Sequence, residues 1–373
     1  MKHFCFITGL YGRYDGLMFE RQGKSLVEAG YKVTIVVCDS KPHEEKDGIL
    51  IISTGRCFKS RKDRFLHSKH LLLAYAKKIN ADIYQISDPE LMGLVSPLKR
   101  LGKKVVFNLR EYYPDMIQGK FYIPSPLRKT ASFLYTNVYM KHYLIKYDVV
   151  FTVTDWIIDI IKEDFGVKQV FLLTNFPRFN PNHSFSLENY LNRDNILCYE
   201  GTVYSSSRQE NVFKALESIP EIKYVIVGKI HSGDSYIMNL PYWNKVEFQD
   251  GFTLSELEQT FNRSTISNVF RDFGKRDGSL GVMKVFESME AGLPVLFADV
   301  PLYRKINEKY RCGICVNPNC VDSIKEALLY LLNNKKEAYE MGQRGRKAVK
   351  EKYNWEKQAA FFISKINSIC CYE

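Results

Sequence analysis

Short apolar runs alternate along this chain with segments whose apolar residues recur every three or four positions. The runs predict strands, which in the first half fall at residues 3–8, 32–37, 49–53, 83–86, 104–108, 149–153 and 169–173. The periodic segments predict helices at residues 17–29, 65–79, 89–100, 126–145 and 156–165. Continuous Val and Ile runs separated by helices are typical of a parallel sheet covered on both faces. The pattern therefore predicts a doubly wound α/β domain, whose ligands bind at the carboxyl ends of the strands.

The alternation lapses in a stretch rich in Pro and Asn and then starts again. We interpret residues 176–195 as a linker between a first domain, residues 1–175, and a second, residues 196–352. Strands of the second domain are predicted at residues 196–199, 224–227, 246–248, 266–270, 295–297 and 314–316. Its helices are predicted at residues 209–218, 254–261, 282–290, 301–308, 321–333 and 336–352. A chain of 373 residues agrees with two domains, because single hydrophobic cores rarely grow that large.

The composition, 45% hydrophobic and 25% charged residues, is that of an ordinary globular protein. The nine cysteines are scattered without a paired zinc-binding spacing, which predicts free thiols in a reducing compartment such as the cytosol. No apolar run reaches the roughly 18 residues of a membrane-spanning helix. Residues 1–10 predict a first strand rather than a signal peptide.

The net charge of +11 is uneven, since residues 1–185 hold 28 of the 53 Lys and Arg but only 18 of the 42 Asp and Glu. A basic N-terminal half fits nucleic acid, anionic lipid or a phosphorylated acceptor, and charge alone does not choose among them. Residues 126–147 combine apolar, aromatic and basic side chains at helical spacing. Such a helix fits either a hydrophobic core or a membrane surface.

The most informative segment joins a glycine loop, a helix start and a buried strand. The loop at residues 274–281 leads into a predicted helix that carries Lys284 and Glu287, and the turn Gly292-Leu-Pro294 opens the strand. Backbone N–H groups and the positive end of a helix dipole attract phosphate. A carboxylate on the same helix can accept hydrogen bonds from ribose hydroxyls. The segment therefore predicts a nucleotide site.

Further polar residues follow other predicted strands. Gly201 and Thr202 follow the strand at 196–199, and Arg208 stands at the start of the next helix. The N-terminal half places a second set after its own strands: Gly12, Arg13, Asp15, Asp88, Glu90, Arg110 and Glu111. The glycine spacing of residues 9–16 departs from the dinucleotide-binding fingerprint, which disfavours NAD.

The segment around Lys284 resembles the donor site of glycosyltransferase family 4, in the branch that builds capsule and O-antigen polysaccharides. Members of that branch carry Lys-x-x-Glu-Tyr-Met-x-x-Gly-x-Pro-Val at this point. Ser288 departs from this run, where Tyr is usual. Many family members have two Glu residues here, and Ser279 stands in place of the first, which the capsule branch often lacks. Arg110 stands in place of a family His. The resemblance covers nearly the whole chain. It implies a GT-B fold, in which two Rossmann-like doubly wound domains face each other across a cleft and residues 353–373 return to the N-terminal domain.

The resemblance implies a retaining glycosyltransferase that uses a nucleotide-sugar donor, UDP-linked rather than GDP-linked, and no metal. Its acceptor would be a lipid-linked oligosaccharide for bacterial surface polysaccharide, at the inner face of the cell membrane. Arg208 and Lys284 would meet the diphosphate and Glu287 would anchor ribose, and these three would be the catalytic residues. The donor site would comprise Gly12, Gly201, Thr202, Arg208, Ser279, Gly281, Val282, Lys284 and Glu287. The acceptor side would comprise Arg13, Asp15, Asp88, Glu90, Arg110 and Glu111.

Two other classes of protein stay open. A GT-B-like UDP-sugar 2-epimerase would share the architecture, but it needs acid–base carboxylates and His, and the predicted strand ends are poor in His. A nucleic-acid-binding or membrane-binding protein would explain the positive charge. However, no segment matches a known nucleic-acid-binding module.

Overall fold

The computed structural model describes residues 1–118, 123–183, 185–271 and 283–370, which form two compact units. The N-terminal unit comprises Met1–Asn175 and Lys357–Glu373, and the C-terminal unit comprises Phe176–Glu356. The stretch predicted as a linker, residues 176–195, therefore belongs to the C-terminal unit. The end of the chain belongs to the N-terminal unit.

An eight-stranded sheet in the order β3-β4-β2-β1-β5-β6-β7-β8 forms the centre of the N-terminal unit. All neighbouring strands are parallel except β3 and β4. The strands are β1 (His3–Ile7), β2 (Lys32–Val37), β3 (Glu44–Lys46), β4 (Ile49–Ser53), β5 (Ile83–Ile86), β6 (Lys104–Leu109), β7 (Val149–Thr152) and β8 (Val170–Leu172). Buried apolar runs in a parallel order confirm the predicted doubly wound sheet.

The helices of this unit are α1 (Lys24–Glu28), α2 (Arg61–Ile79), α3 (Val95–Arg100), α4 (Tyr113–Gln118), α5 (Ser125–Leu134), α6 (Lys141–Leu144) and α7 (Asp155–Glu163). A π-helical turn, Met18–Gly23, precedes α1, and another, Tyr135–Met140, joins α5 to α6. The 3-10 helix Pro89–Leu94 leads into α3. The single helices predicted at 17–29, 89–100 and 126–145 are thus each divided by a change of helix type.

Two elements described in the N-terminal unit, β3 and α4, were not predicted, and α8 (Leu187–Leu191) of the C-terminal unit was predicted as part of the linker. β3 is the charged tripeptide Glu-Glu-Lys and shows no apolar alternation. It pairs antiparallel with β4 across Asp47 and Gly48, whose φ angles are 51° and 74°. An Asp-Gly pair with both residues at positive φ is typical of a tight β-hairpin turn. The Asp47-Gly48 dipeptide was therefore the sequence signal that could have predicted this hairpin.

The C-terminal unit has a six-stranded parallel sheet in the order β11-β10-β9-β12-β13-β14. Its strands are β9 (Ile196–Glu200), β10 (Lys223–Gly228), β11 (Val246–Asp250), β12 (Ile266–Asn268), β13 (Val295–Ala298) and β14 (Gly313–Val316). Its α-helices are α8 (Leu187–Leu191), α9 (Gln209–Glu217), α10 (Leu254–Arg263), α11 (Met283–Glu290), α12 (Pro301–Tyr310), α13 (Val321–Asn333) and α14 (Lys335–Glu351). Its 3-10 helices are Ser205–Ser207, Ser232–Asn239 and Pro241–Lys245. The order of the strands is that of a dinucleotide-type Rossmann sheet.

The last helix, α15 (Trp355–Cys370), runs mostly within the N-terminal unit. Its Phe362 is fully buried, with its ring centroid 5.4 Å from that of Phe151 and 6.4 Å from that of Phe4. Aromatic pairs at these separations add to the stabilisation from burial alone. The N-terminal core is therefore completed by the end of the chain.

Helix α11 is fixed at its C-terminal end by ionic contacts. Glu290 and Arg346 of α14 are both nearly buried and lie 2.8 Å apart. Glu290 also accepts hydrogen bonds from the Asn180 N–H at 3.0 Å and from His183 Nδ1 at 2.9 Å. These contacts attach residues 180–183 to the C-terminal unit, which explains why the stretch predicted as a linker is part of that unit.

Helix α14 also approaches the turn after α11 with its backbone. A Cβ atom on Gly342 would lie 1.9 Å from the Gly292 carbonyl oxygen. Real Cβ atoms do not approach an oxygen so closely, so both backbones would have to move.

We therefore expect Gly342→Ala to lower the free energy of unfolding by at least about 2 kcal/mol, since rigid backbone opposes the added methyl group. Urea denaturation followed by circular dichroism measures the change. Lys347→Ala is the matched control, because Lys347 is an exposed residue of the same helix. Equal stability of the two variants would contradict the backbone contact.

Candidate functional site

Three glycines stand at the carboxyl ends of neighbouring strands in the C-terminal unit. Gly201, Gly228 and Gly251 follow or end β9, β10 and β11, and all have positive φ angles. The Gly201 N–H donates to the Val227 carbonyl oxygen at 2.7 Å, and the Gly251 N–H donates to the Gly228 carbonyl oxygen at 2.7 Å. A Cβ atom on Gly228 would lie 2.1 Å from the Gly201 carbonyl oxygen. The strand ends are therefore joined by backbone hydrogen bonds, and the backbone contact at Gly228 leaves no room for a side chain there.

Lys284, at the start of the described part of α11, reaches these strand ends. Its Nζ donates a hydrogen bond to the Tyr199 hydroxyl at 2.9 Å, and this hydroxyl donates to the Thr202 carbonyl oxygen at 3.1 Å. The lysine stem lies so close to Gly201 that a Cβ atom there would be 2.8 Å from Lys284 Cε. The structure thus brings together the predicted residues Gly201, Thr202 and Lys284.

Tyr199 and Gly228 are part of this arrangement but were not predicted. Tyr199 is the last residue of the strand predicted at 196–199, and it is buried. Its ring also lies 4.2 Å from the Lys284 ammonium, at a distance typical of a cation–π contact. For Gly228 the signal was a glycine directly after the run Tyr-Val-Ile-Val.

The ammonium of Lys284 is half-buried, and within the described residues it forms no ion pair. One of its three donors is used by Tyr199. A partly desolvated charge without a counter-ion is stabilised by an anion. Lys284 therefore places a positive charge close to the carboxyl end of β9.

Other donor-side predictions lie near by in sequence. Glu287 is half-buried on α11, one helical turn after Lys284. Arg208 is half-buried and has φ 50° where the 3-10 helix Ser205–Ser207 meets α9. Ser279, Gly281 and Val282 lie outside the described residues.

In the N-terminal unit, Asp88 organises the loop after β1. Its fully buried carboxylate accepts hydrogen bonds from the Thr8 hydroxyl at 2.8 Å, the Gly9 N–H at 2.7 Å and the Leu10 N–H at 2.9 Å. The carboxylate does not cap the 3-10 helix that follows it. Asp88 therefore holds the loop that carries Gly12 and does not itself reach solvent.

Asp15 and Arg110 form a two-point ion pair, with nitrogen–oxygen distances of 2.8 and 2.9 Å. The guanidinium also stacks on the Tyr11 ring, 3.7 Å from its centroid. Burial acts to raise the pKa of Asp15, but the Arg110 charge and hydrogen bonds from Arg110, Met18 and Leu17 outweigh it and lower the pKa. The two terminal nitrogens of Arg110 are thus both bound to a carboxylate of the same unit.

Arg13 is paired in the same way. Its guanidinium contacts both carboxylate oxygens of Asp39 at 2.8 Å, and it also bonds Glu44 of β3. The hydrogen bonds from Arg13 lower the pKa of Asp39 to about 2, although burial opposes this shift. Arg13 is nearly buried and links the β1 loop to β3.

The remaining acceptor-side predictions surround a cavity of about 680 Å³ within the N-terminal unit. Glu90, paired with Arg64 of α2, and the exposed Glu111 both line it. Gly12, which was predicted for the donor site, is exposed in the β1 loop of the N-terminal unit. Sequence reasoning indicated that these residues follow strands, but it did not indicate a cavity.

Two family models cover most of the chain. Residues 18–175 match Glycosyltransferase Family 4, and residues 184–348 match Glycosyl transferases group 1. The fold is similar to that of sucrose-phosphate synthase from Thermosynechococcus elongatus, with a TM-score of 0.75, 16% identity and 100% of both chains covered. The chain is a glycosyltransferase of the GT-B type.

Other solved structures of this type resemble the transferase in fold. WaaG, a glycosyltransferase involved in lipopolysaccharide biosynthesis, gives a TM-score of 0.68 at 17% identity, with 96% of this chain and 99% of WaaG covered. Anabaena HepE in complex with UDP and glucose gives a TM-score of 0.67 at 10% identity, with coverage of 99% and 100%. No curated protein sequence gives a significant match.

Two features are absent from the described residues. No group of three or more His, Cys, Asp or Glu side chains is arranged to hold a metal ion in this part of the transferase. None of the described helices is long and apolar enough to cross a bilayer.

Asp88 gives the transferase a testable dependence on pH. Burial and the Glu90 charge raise its pKa to about 7, against the hydrogen bonds from Gly9 and Thr8. A carboxyl whose pKa is raised on folding binds its proton more tightly in the folded state, so its contribution to stability falls as the pH rises from about 4 to about 7.

We expect the wild-type enzyme to lose up to about 4 kcal/mol from this source over that pH range, and Asp88→Asn to lack this loss. Urea denaturation at about pH 5 and about pH 7.5 measures it. Asp159→Asn, at an exposed position of α7, is the control and should keep the wild-type slope. A wild-type slope in Asp88→Asn would contradict the raised pKa.

Proposed function

We propose that the transferase moves a sugar from a UDP-sugar to a lipid-linked oligosaccharide, with retention of anomeric configuration, in bacterial surface polysaccharide synthesis. The observation that carries the donor site is Lys284, a half-buried ammonium held at the end of β9 without an ion-pair partner among the described residues. A diphosphate would supply the missing negative charge.

The proposed roles follow from the charge that develops during transfer. The departing diphosphate gains negative charge, so preplaced cations lower the barrier without needing to reorganise. Lys284 is preplaced by Tyr199 and by the close contact with Gly201. Arg208 would meet the same diphosphate from the start of α9, and Glu287 would accept hydrogen bonds from ribose.

The preference for UDP is supported by proteins of the same fold. HepE was solved with UDP and glucose, and trehalose-6-phosphate from E. coli was solved bound with UDP-2-fluoro glucose. The acceptor proposal is supported by the likeness to WaaG, which is involved in lipopolysaccharide biosynthesis.

Retention of the anomeric configuration is supported by the nature of two residues in the N-terminal unit, neither of which is placed to act as a base. Arg110 stands where an acid–base residue was expected, but a guanidinium does not deprotonate, and this one is bound to Asp15. Asp88 is fully buried. In our proposal the leaving phosphate oxygen takes the proton from the acceptor hydroxyl on the same face of the sugar, so no enzymatic base is required.

With an α-linked UDP-sugar donor, we therefore expect an α-linked product, because attack occurs on the face that the diphosphate leaves. Proton NMR of the product, through the coupling of its anomeric proton, checks the configuration. A β-linked product would overturn the retaining assignment and require a base.

We place the transferase at the inner face of the cell membrane. The N-terminal half carries the excess of Lys and Arg, and each such residue near anionic lipid contributes about 1 kcal/mol. The exposed side chain of Leu127 on α5 adds apolar surface that water solvates poorly.

Lys284→Ala should weaken UDP binding roughly tenfold or more, because a charge-assisted contact with phosphate is lost. Calorimetric titration of the purified enzyme with UDP, GDP and ADP measures the affinity, and Glu287→Ala should also weaken it. Lys214→Ala removes an exposed cation from α9 and is the matched control.

Wild-type affinity for UDP in the control, together with a loss in Lys284→Ala, supports the donor site. If no nucleoside diphosphate binds the wild-type enzyme, or if Lys214→Ala and Lys284→Ala lose equal affinity, the proposed site is wrong.

A further inference from the structure

The cavity of the N-terminal unit is lined mostly by hydrocarbon. Its wall is formed by the start of α2, by α4, and by the end of α5 with the π-helical turn after it. Phe65, Leu134 and Val138 line it while remaining 66%, 52% and 62% exposed. Single exposed apolar side chains are ordinary, but three around one cavity mark a binding surface.

The size and the polarity of the cavity indicate the class of ligand. A volume of about 680 Å³ lies within the range of small-molecule pockets, roughly 300–1,000 Å³. The hydroxyls of two lining tyrosines are already used, since Tyr113 donates to the Ser87 carbonyl oxygen at 2.9 Å and Tyr139 to that of Glu90 at 3.2 Å. The cavity therefore offers mainly carbon surface.

Tyr135 differs from its neighbours. It lines the same cavity, and its buried hydroxyl has no hydrogen-bond partner among the described residues. Because this hydroxyl oxygen is buried, a ligand in the cavity would contact the ring of Tyr135 and not the oxygen. The fitting ligand is thus a hydrocarbon chain.

We propose that this cavity binds the hydrocarbon chain of the acceptor lipid, with the saccharide-bearing head at the mouth beside Arg61 and Glu111. The assignment of that lipid as the acceptor rests on the proposed function, whereas the binding of a chain does not. Both mouth residues are charged and exposed, as contact with a polar head requires.

The same apolar side chains could instead contact a bare membrane surface. Phe133 distinguishes contact with a membrane from binding of a chain inside the cavity. Phe133 is 64% exposed and precedes Leu134 on α5, but it does not line the cavity. A membrane surface would contact both residues, whereas a chain inside the cavity would contact Leu134 alone.

The test titrates the full-length enzyme with n-octyl, n-decyl and n-dodecyl maltoside, each below its micelle concentration, by calorimetry. Each added methylene should strengthen binding about fourfold while the chain still fills the cavity. Leu134→Ser and Val138→Ser should weaken binding of the dodecyl probe about tenfold or more. Phe133→Ser is the matched control and should stay within about twofold of the wild-type affinity.

Affinity that does not change with chain length, or an equal loss in Phe133→Ser and Leu134→Ser, would overturn the cavity assignment. Failure of monomeric maltosides to bind, while phosphatidylglycerol vesicles capture the enzyme, would overturn it in favour of a membrane surface. UDP titration of the same variants tests the proposed donor site independently of the cavity assignment. UDP binding without chain binding refutes only this inference, and chain binding without UDP binding supports it while refuting the donor site.

Discussion

The backbone of Gly201 passes so close to Gly228 and to the Lys284 side chain that neither glycine tolerates a Cβ atom. This contact sets the position of everything at the carboxyl end of β9. Because Gly201 has no side chain, the lysine stem can cross it and place its ammonium on the Tyr199 hydroxyl. A methyl group at position 201 would displace the charge that the donor phosphate is proposed to meet.

The same helix is held from its other end. Glu290 is bound to Arg346, and the Gly292 turn is pressed against Gly342 of α14. Helix α11 therefore has little freedom to shift or rotate, and Lys284 is positioned before any ligand binds. A charge that is already in place requires no reorganisation during the reaction, which is the main advantage of a preorganised site over water. By fixing α11, the packing of α14 therefore supports the proposed donor site.

Local pattern was enough to predict the sheets, because periodicity and turn residues report on neighbouring positions. The association of Gly201 with Lys284 came from the family resemblance. Tyr199 escaped notice because a tyrosine in an apolar strand has the same sequence signature whether its hydroxyl serves a lysine or only packs. Asp88 has the sequence of an ordinary helix start, yet its carboxylate binds Thr8, 80 residues away. The Asp15–Arg110 pair joins positions 95 residues apart. Such partners depend on the completed fold, which short-range spacing does not contain.

The two units use their cations differently, and the difference bears on what each can recognise. In the N-terminal unit Arg13, Arg64 and Arg110 form ion pairs with carboxylates of the same unit. Their positive charges are therefore largely neutralised within the unit. Releasing such a partly buried pair to bind a phosphate would leave a carboxylate uncompensated, at a cost of several kcal/mol. Lys284 forms no ion pair with any of the described residues. Recognition of phosphate is therefore expected at Lys284 of the C-terminal unit and not at these three arginines, whereas the cavity of the N-terminal unit offers mainly carbon surface.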